Sequence, residues 1–337
     1  MKFRIVHTTG YEYSAPAIEC YSELRVRPRN TMRQVISEQV TEVSPRVPLE
    51  SFTDYWGNAV EALSVPFRHQ RLVVTSRCLV QTRPVGNPIA GLDLSVSEAV
   101  HLYHPRRREL YDYLMPSHHV PVTPEIKDFA RAYLDPRESF TPALLRLNET
   151  IFKTFKYKPG ATTISTPLNE VLASRQGVCQ DFAHLLIAVL RASGIPARYV
   201  SGYIETEAQA AASLHPSKAN GHGNGHGVGG GRGGDLIASS PSRIPALVLP
   251  QEGPSDDDPL IGATASHAWV EVCAPNGIWV GLDPTNNQIE GERHVQIGIG
   301  RDYADVPPLR GVFKGAQKQV LSVKVTVART PGGEGAE

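Results

Sequence analysis

Over the first 80 residues, hydrophobic and polar positions alternate in short runs. Phe3-Arg4-Ile5-Val6-His7, Leu24-Arg25-Val26-Arg27, Gln34-Val35-Ile36-Ser37, Glu61-Ala62-Leu63-Ser64-Val65 and Leu72-Val73-Val74-Thr75 carry the period of two that turns one face of a strand to a core. Turn-forming pieces separate them: Arg27-Pro28-Arg29-Asn30, Ser44-Pro45 and Asp54-Tyr55-Trp56-Gly57-Asn58. This half is predicted to be antiparallel, β-rich and sandwich-like.

From residue 123 the period changes. Thr123-Pro124-Glu125 and Thr141-Pro142 each set a capping side chain before a proline at the first helical position, predicting helices near 124–134 and 142–155. Thr166-Pro167 repeats the device before a short helix that ends in a turn at Gly177. The next helix has both ends written in: Phe182, Leu185, Leu186, Val189 and Leu190 form one apolar stripe, Arg191 complements the C-terminal dipole, and Gly194 with Pro196 stops it.

Residues 205–262 follow neither period. Ala-rich, Gly/His-rich and Asp-rich pieces succeed one another, the composition of a flexible insertion. Residues 319–327 alternate as a strand, and 331–337 read as a disordered tail. The predicted organisation is α+β: an N-terminal β-rich domain over 1–105, a core over 106–300 in which a helix packs on an antiparallel sheet, and C-terminal strands within 301–330 packing on the sheet.

Charge adds exclusions. Lys plus Arg and Asp plus Glu both number 34, so no global field draws the chain to nucleic acid or to an anionic membrane, and no apolar run is long enough to span one. The first ten residues lack the apolar core of a secretory signal, which predicts a cytoplasmic protein. Cys20, Cys78, Cys179 and Cys273 lie far apart without metal-ligand spacing, and are expected to be free thiols. His222 and His226 sit among glycines, Asp256-Asp257-Asp258 lacks the alternation of a calcium loop, and Arg106-Arg107-Arg108 reads as a solvated linker. No metal and no cofactor is expected, and the oligomeric state is left open.

One thiol stands apart. Cys179 falls in the first turn of its helix, where the partial positive charge stabilises a thiolate and free N–H groups can bind a developing oxyanion. His184 is a poor base for it, because five residues along a helix is about 500° of rotation, and it reads as a packing residue. His267 is the better one: it opens an alternating strand that turns at Pro275-Asn276-Gly277 and returns to Asp283. A two-residue Asn-Gly loop would pair 270 with 283 and put His267 and Asp283 on opposite faces. A three-residue loop with Gly277 left-handed sets Trp269 opposite Asp283, and His267 and Asp283 then share a face. That loop, or an equivalent bulge, is the prediction, with Cys179 as nucleophile, His267 as base and Asp283 as the group orienting it. Trp269 and Tyr203 would flank the site.

Gly177-Val178-Cys179-Gln180-Asp181-Phe182-Ala183-His184, Pro196-Ala197-Arg198-Tyr199-Val200-Ser201-Gly202-Tyr203, Ser266-His267-Ala268-Trp269 and Asp283-Pro284-Thr285-Asn286 together resemble the bacterial transglutaminase-like family. Tyr11-Glu12-Tyr13, Leu24-Arg25-Val26-Arg27-Pro28 and Asp54-Tyr55-Trp56-Gly57-Asn58 resemble the β-rich region preceding that core. The resemblance implies a papain-like core and attack of Cys179 on an amide carbonyl of a peptide or protein, with His267 later protonating the leaving amine. Water as acceptor makes the protein a protease or amidase, and an amine makes it a transglutaminase. A binding module that keeps the fold without catalysis is the third reading. No tryptophan precedes Cys179 in the core, so the indole oxyanion donor of the animal enzymes does not carry over. The Cys179 N–H is the first candidate donor, and Gln180, Gln176 and Tyr157 are candidates for the second.

Overall fold

A computed structural model describes residues 1–84, 86, 93–205, 260–262, 266–316 and 318–330. The predictions for His222, His226, Asp256–Asp258 and the tail fall outside these residues, as does nearly all of the insertion.

Six strands open the chain: β1 (Lys2–Ala17), β2 (Glu19–Leu24), β3 (Gln34–Ser44), β4 (Leu49–Thr53), β5 (Ala59–Val65) and β6 (His69–Thr82). They divide between two antiparallel sheets, and both are completed from the far end of the sequence. β14 (Leu309–Lys314) joins β2 in the order β14-β2-β5-β4, and β15 (Gln319–Arg329) joins β1 in the order β15-β1-β6-β3. Tyr13, Val43, Leu72 and Val74 of one sheet meet Cys20, Leu24, Leu63 and Val65 of the other in a single apolar layer, the sandwich that alternation predicts. Two strands differ from expectation. The second lies before Leu24 rather than after it, and β4 was not foreseen because it is exposed or half-buried at every position.

Helices follow: α1 (Val96–Leu102), α2 (Tyr111–Leu114), α3 (Pro124–Tyr133), α4 (Phe140–Thr154), α5 (Leu168–Ser174) and α6 (Cys179–Ala192), with β7 (Lys156–Tyr157) and β8 (Gln176–Gly177) pairing between them. Thr123 caps α3 through the N–H of Ile126, as expected, whereas α4 starts at Phe140, before the Thr141-Pro142 pair. α1 begins with a full capping box, Ser95 with Glu98.

α6 packs against a five-stranded antiparallel sheet in the order β12-β11-β10-β9-β13, built of β9 (Ala197–Ile204), β10 (His267–Cys273), β11 (Trp279–Asp283), β12 (Gln288–Ile289) and β13 (His294–Gly300). Every residue of β10 and β13 is buried. Ala268, Val270 and Val272 pack with α6, while Trp269 and Val200 pack with Ile299 of β13 and with Trp56 of the β-rich region. That region also completes β13: Asn58 accepts from the Ile299 N–H at 2.8 Å and donates to its carbonyl at 2.8 Å, and Gln34 does the same for the N–H and carbonyl of Gln296 at 2.8 and 2.7 Å. Two side-chain amides thus stand in for a neighbouring strand. No helix among the described residues is long and apolar enough to cross a membrane.

Candidate active site

The geometry begins with the β10–β11 turn. Ala274 and Ile278 close a three-residue loop, the N–H of Ala274 donating to Ile278 at 2.8 Å, and Gly277 takes a φ of +87° that favours glycine. Val270 consequently pairs with Leu282, so Asp283 falls opposite Trp269. His267 Nε2 and Asp283 Oδ2 lie 2.8 Å apart, both side chains fully buried. The predicted loop parity is the one found.

Asp283 is an acceptor hub. Its Oδ1 accepts from the N–H groups of Thr285 and Asn286 at 2.8 and 3.2 Å. Its Oδ2 faces His267, the Asn286 amide at 2.8 Å and His294 Nε2 at 3.3 Å. Burial alone would raise this carboxyl, yet the two imidazoles hold it well below the usual carboxylate range. His267 shows the mirror image: burial pushes it down, while Asp283 and Cys179 together raise it to about 10. Its Nδ1 is buried, and Cys179 is among the groups that raise the ring.

Cys179 is the first residue of α6 and is 8% exposed. Asp181, three residues from the cap, accepts from the Val178 N–H at 2.8 Å and from Thr162 at 2.6 Å, fixing the entrance to the helix. His184 points elsewhere: it accepts from the Tyr303 N–H at 3.1 Å and stacks on His119, and burial lowers it to about 3. It is a packing residue, as its helical position requires.

The remaining candidates separate by location. Tyr157 pairs with Gly177, two residues before Cys179; burial and then the Cys179 sulfur push its phenol to about 12. A β-carbon on Gly262 would meet His267 Nδ1 at 3.0 Å and the Tyr157 hydroxyl at 3.4 Å, so the two groups face one point. Gln176 accepts from exposed Lys158 at 3.2 Å, and Gln180 lines a cavity of about 540 Å³ with Asn169, Asp181 and His184. Trp269 is fully buried and stacks on His267 with centroids 6.2 Å apart. Its ring lies across Gly202, where a β-carbon would be 2.2 Å from the indole. Tyr203 bonds His7 of the β-rich region at 2.7 Å and packs with Phe3 and Ile5.

Sequence reasoning missed His294 and Asn286. Asn286 stands in the quoted Asp283-Pro284-Thr285-Asn286 run, and an Asx pattern after a strand could have marked it. His294 had no local signal. In a flat sheet, the edge strands β12 and β13 would be about 19 Å apart at ~4.8 Å per strand. The five steps from Ile289 to His294 reach at most about 18 Å. The sheet must curl, and that curl brings His294 onto Asp283.

A family model for the transglutaminase-like superfamily matches residues 127–284, and one for the bacterial transglutaminase-like N-terminal region matches residues 3–81. An uncharacterized protein of Mycobacterium tuberculosis is 32% identical over 98% of this chain and 94% of its own length. A protein-glutamine gamma-glutamyltransferase of Pseudomonas aeruginosa is 28% identical over 58% of this chain and 24% of its own. A solved structure of a candidate cysteine protease from Cytophaga hutchinsonii superposes with a TM-score of 0.63 at 20% identity, covering 98% of this chain and 92% of that one. This last likeness is one of fold.

Proposed function

Because the chain belongs to the transglutaminase-like superfamily and carries its bacterial N-terminal region, we propose that it is a cysteine-dependent amide hydrolase acting on peptides or proteins through Cys179, His267 and Asp283. The observation carrying this reading is the fully buried contact of His267 Nε2 with Asp283 at 2.8 Å, on a carboxylate that four further donors saturate, with Cys179 a neighbour of the imidazole. An imidazolium beside a sulfur at a helix N-terminus is the environment that favours a thiolate nucleophile.

In this mechanism Cys179 Sγ forms a bond to the amide carbonyl carbon. The C–N bond breaks as the amine leaves with the proton from His267 Nδ1. Water then attacks the thioester, giving its proton to His267 as the C–S bond breaks and the acid departs. The Cys179 N–H and the Tyr157 hydroxyl are the proposed oxyanion donors, since a phenol at about 12 stays protonated and faces the same point as Nδ1. Trp269 shields the ion pair. A cytoplasmic site of action fits this reading, a reducing compartment keeping Cys179 a thiol.

Amine transfer is the second reading, favoured by the likeness to the Pseudomonas glutamyltransferase. A glutamine-containing peptide library incubated with a labelled primary amine tests both. Free acid or cleaved peptide, a thioester trapped on Cys179, and loss of both in Cys179→Ala are expected. Label in the product would replace hydrolysis by transfer. No thioester, with Cys179 alkylated no faster than Cys20, would overturn both.

A further inference from the structure

His294 stands outside the proposed Cys179–His267–Asp283 set, on the opposite edge strand of the sheet, yet it is bound to the orienting carboxylate. Its Nε2 lies 3.3 Å from Asp283 Oδ2, the same oxygen that holds His267. Its other nitrogen, Nδ1, accepts from the Gly291 N–H at 3.3 Å. An imidazole that accepts at Nδ1 carries its proton on Nε2, so His294 is neutral and donates to Asp283. The ring is nearly as buried as the carboxylate, at 1% exposure, and it meets Trp269 edge-on with centroids 5.2 Å apart. One indole therefore seats both imidazoles, stacking on His267 and edge-on to His294.

We propose that His294 is a positioning residue for the reaction, acting through Asp283: it shares Oδ2 with His267 and so limits how strongly the carboxylate holds the catalytic proton. This rests on the reading of Cys179 and His267 given above. A general acid must release its proton to the leaving amine, and one bound too tightly releases it slowly. A donor bonded to a carboxylate takes up part of its charge and weakens its hold on any other proton. Asn286 does this too, but it is a local consequence of the turn after β11. His294 arrives from β13, so it couples the closure of the sheet to the electrostatics of the site.

Among the described residues, the titratable groups facing these atoms are few. Asp283 from β11, Cys179 from α6 and Tyr157 from β7 surround His267, while His267 and His294 are the imidazoles on Asp283.

The test is nitrogen-resolved NMR of the histidine rings in the full chain, with His294→Phe and His294→Gln. Wild type should show His294 protonated on Nε2 and bare on Nδ1. His294→Phe keeps a ring against Trp269 but loses the donor, and should raise the titration midpoint of His267 by about half a pH unit. His294→Gln retains a donor and should restore it. A His294 protonated on Nδ1, or a His267 midpoint that is unmoved or lowered in His294→Phe, overturns the proposal. The wild-type ring signals decide even where a variant fails to fold. Alkylation of Cys179 by iodoacetamide in wild type and His267→Ala separates the two levels. If His267→Ala leaves the rate unchanged, the underlying reading fails; if that rate drops while the His267 midpoint ignores His294, only the role of His294 fails.

Discussion

The two halves of the molecule use β-sheet in opposite ways. In the β-rich sandwich, strands are covered on one face, and β6 reads buried and exposed in near alternation. In the core, β10 and β13 are buried at every position, with helices on one side and the β-rich region on the other. A one-faced sheet leaves its polar side chains to water. A sheet covered twice must answer each from inside: Glu271 by Arg198 at 2.6 Å, Glu290 by Arg33 at 3.8 Å, and Asp283 by five donors. Glu290 shows what incomplete compensation does, since burial and then Glu271 raise it to about 8. The His267–Asp283 pair lies in the twice-covered sheet, where exclusion of water strengthens the attraction between a carboxylate and an imidazole.

That contrast can be broken at several points. The largest effect is expected from Asp283→Asn, which removes the charge while preserving size, and should slow thioester formation by roughly two to four orders of magnitude. The same variant has a pH signature. Asp283 is depressed by folding, so its contribution to stability is present above about 3.9 and lost as pH falls toward the folded value. His267 is raised, so its contribution is complete below about 6.5. It is lost as pH rises through about 10. The melting-temperature gap between wild type and Asp283→Asn should therefore be widest near pH 4–6.5 and narrow toward pH 10; a gap constant with pH would contradict the buried ion pair.

Asn58→Ala comes next. It lies in the sandwich but strands the N–H and carbonyl of Ile299 in the core. Urea titration should show a loss of about 2–4 kcal/mol, from two buried unpaired groups. A loss below about 0.5 kcal/mol would mean that β13 does not need its borrowed neighbour. The smallest effect belongs to the sandwich itself. Val320→Thr, at a β15 position 69% exposed, should change stability by less than about 0.5 kcal/mol in the same titration, and a larger change would mean this strand is covered after all.

Much of this was legible in local pattern. Cys179 at the start of α6 follows from an apolar stripe with written ends, and the union of His267 with Asp283 from the three residues Pro275-Asn276-Gly277 setting the parity of a hairpin. β4 escaped because an exposed strand has no buried face to alternate against, and α1 because its capping box, Ser95-Val96-Ser97-Glu98, precedes only two turns. His294 escaped for a different reason: it lies 11 residues from Asp283 with a reversal of chain direction between them.

What the sequence determined by itself is whatever is decided within one strand or one helix, namely where the helix of Cys179 starts and which faces are apolar, while for the hairpin it offered two parities and the structure holds the one that sets His267 and Asp283 on one side. The curl of the sheet, the placement of Asn58 and Gln34 along β13, and the arrival of His294 on Asp283 were decided only in the tertiary structure. These contacts join elements whose spacing depends on strand twist and on what covers each face, and neither is written in the periodicity of any single segment.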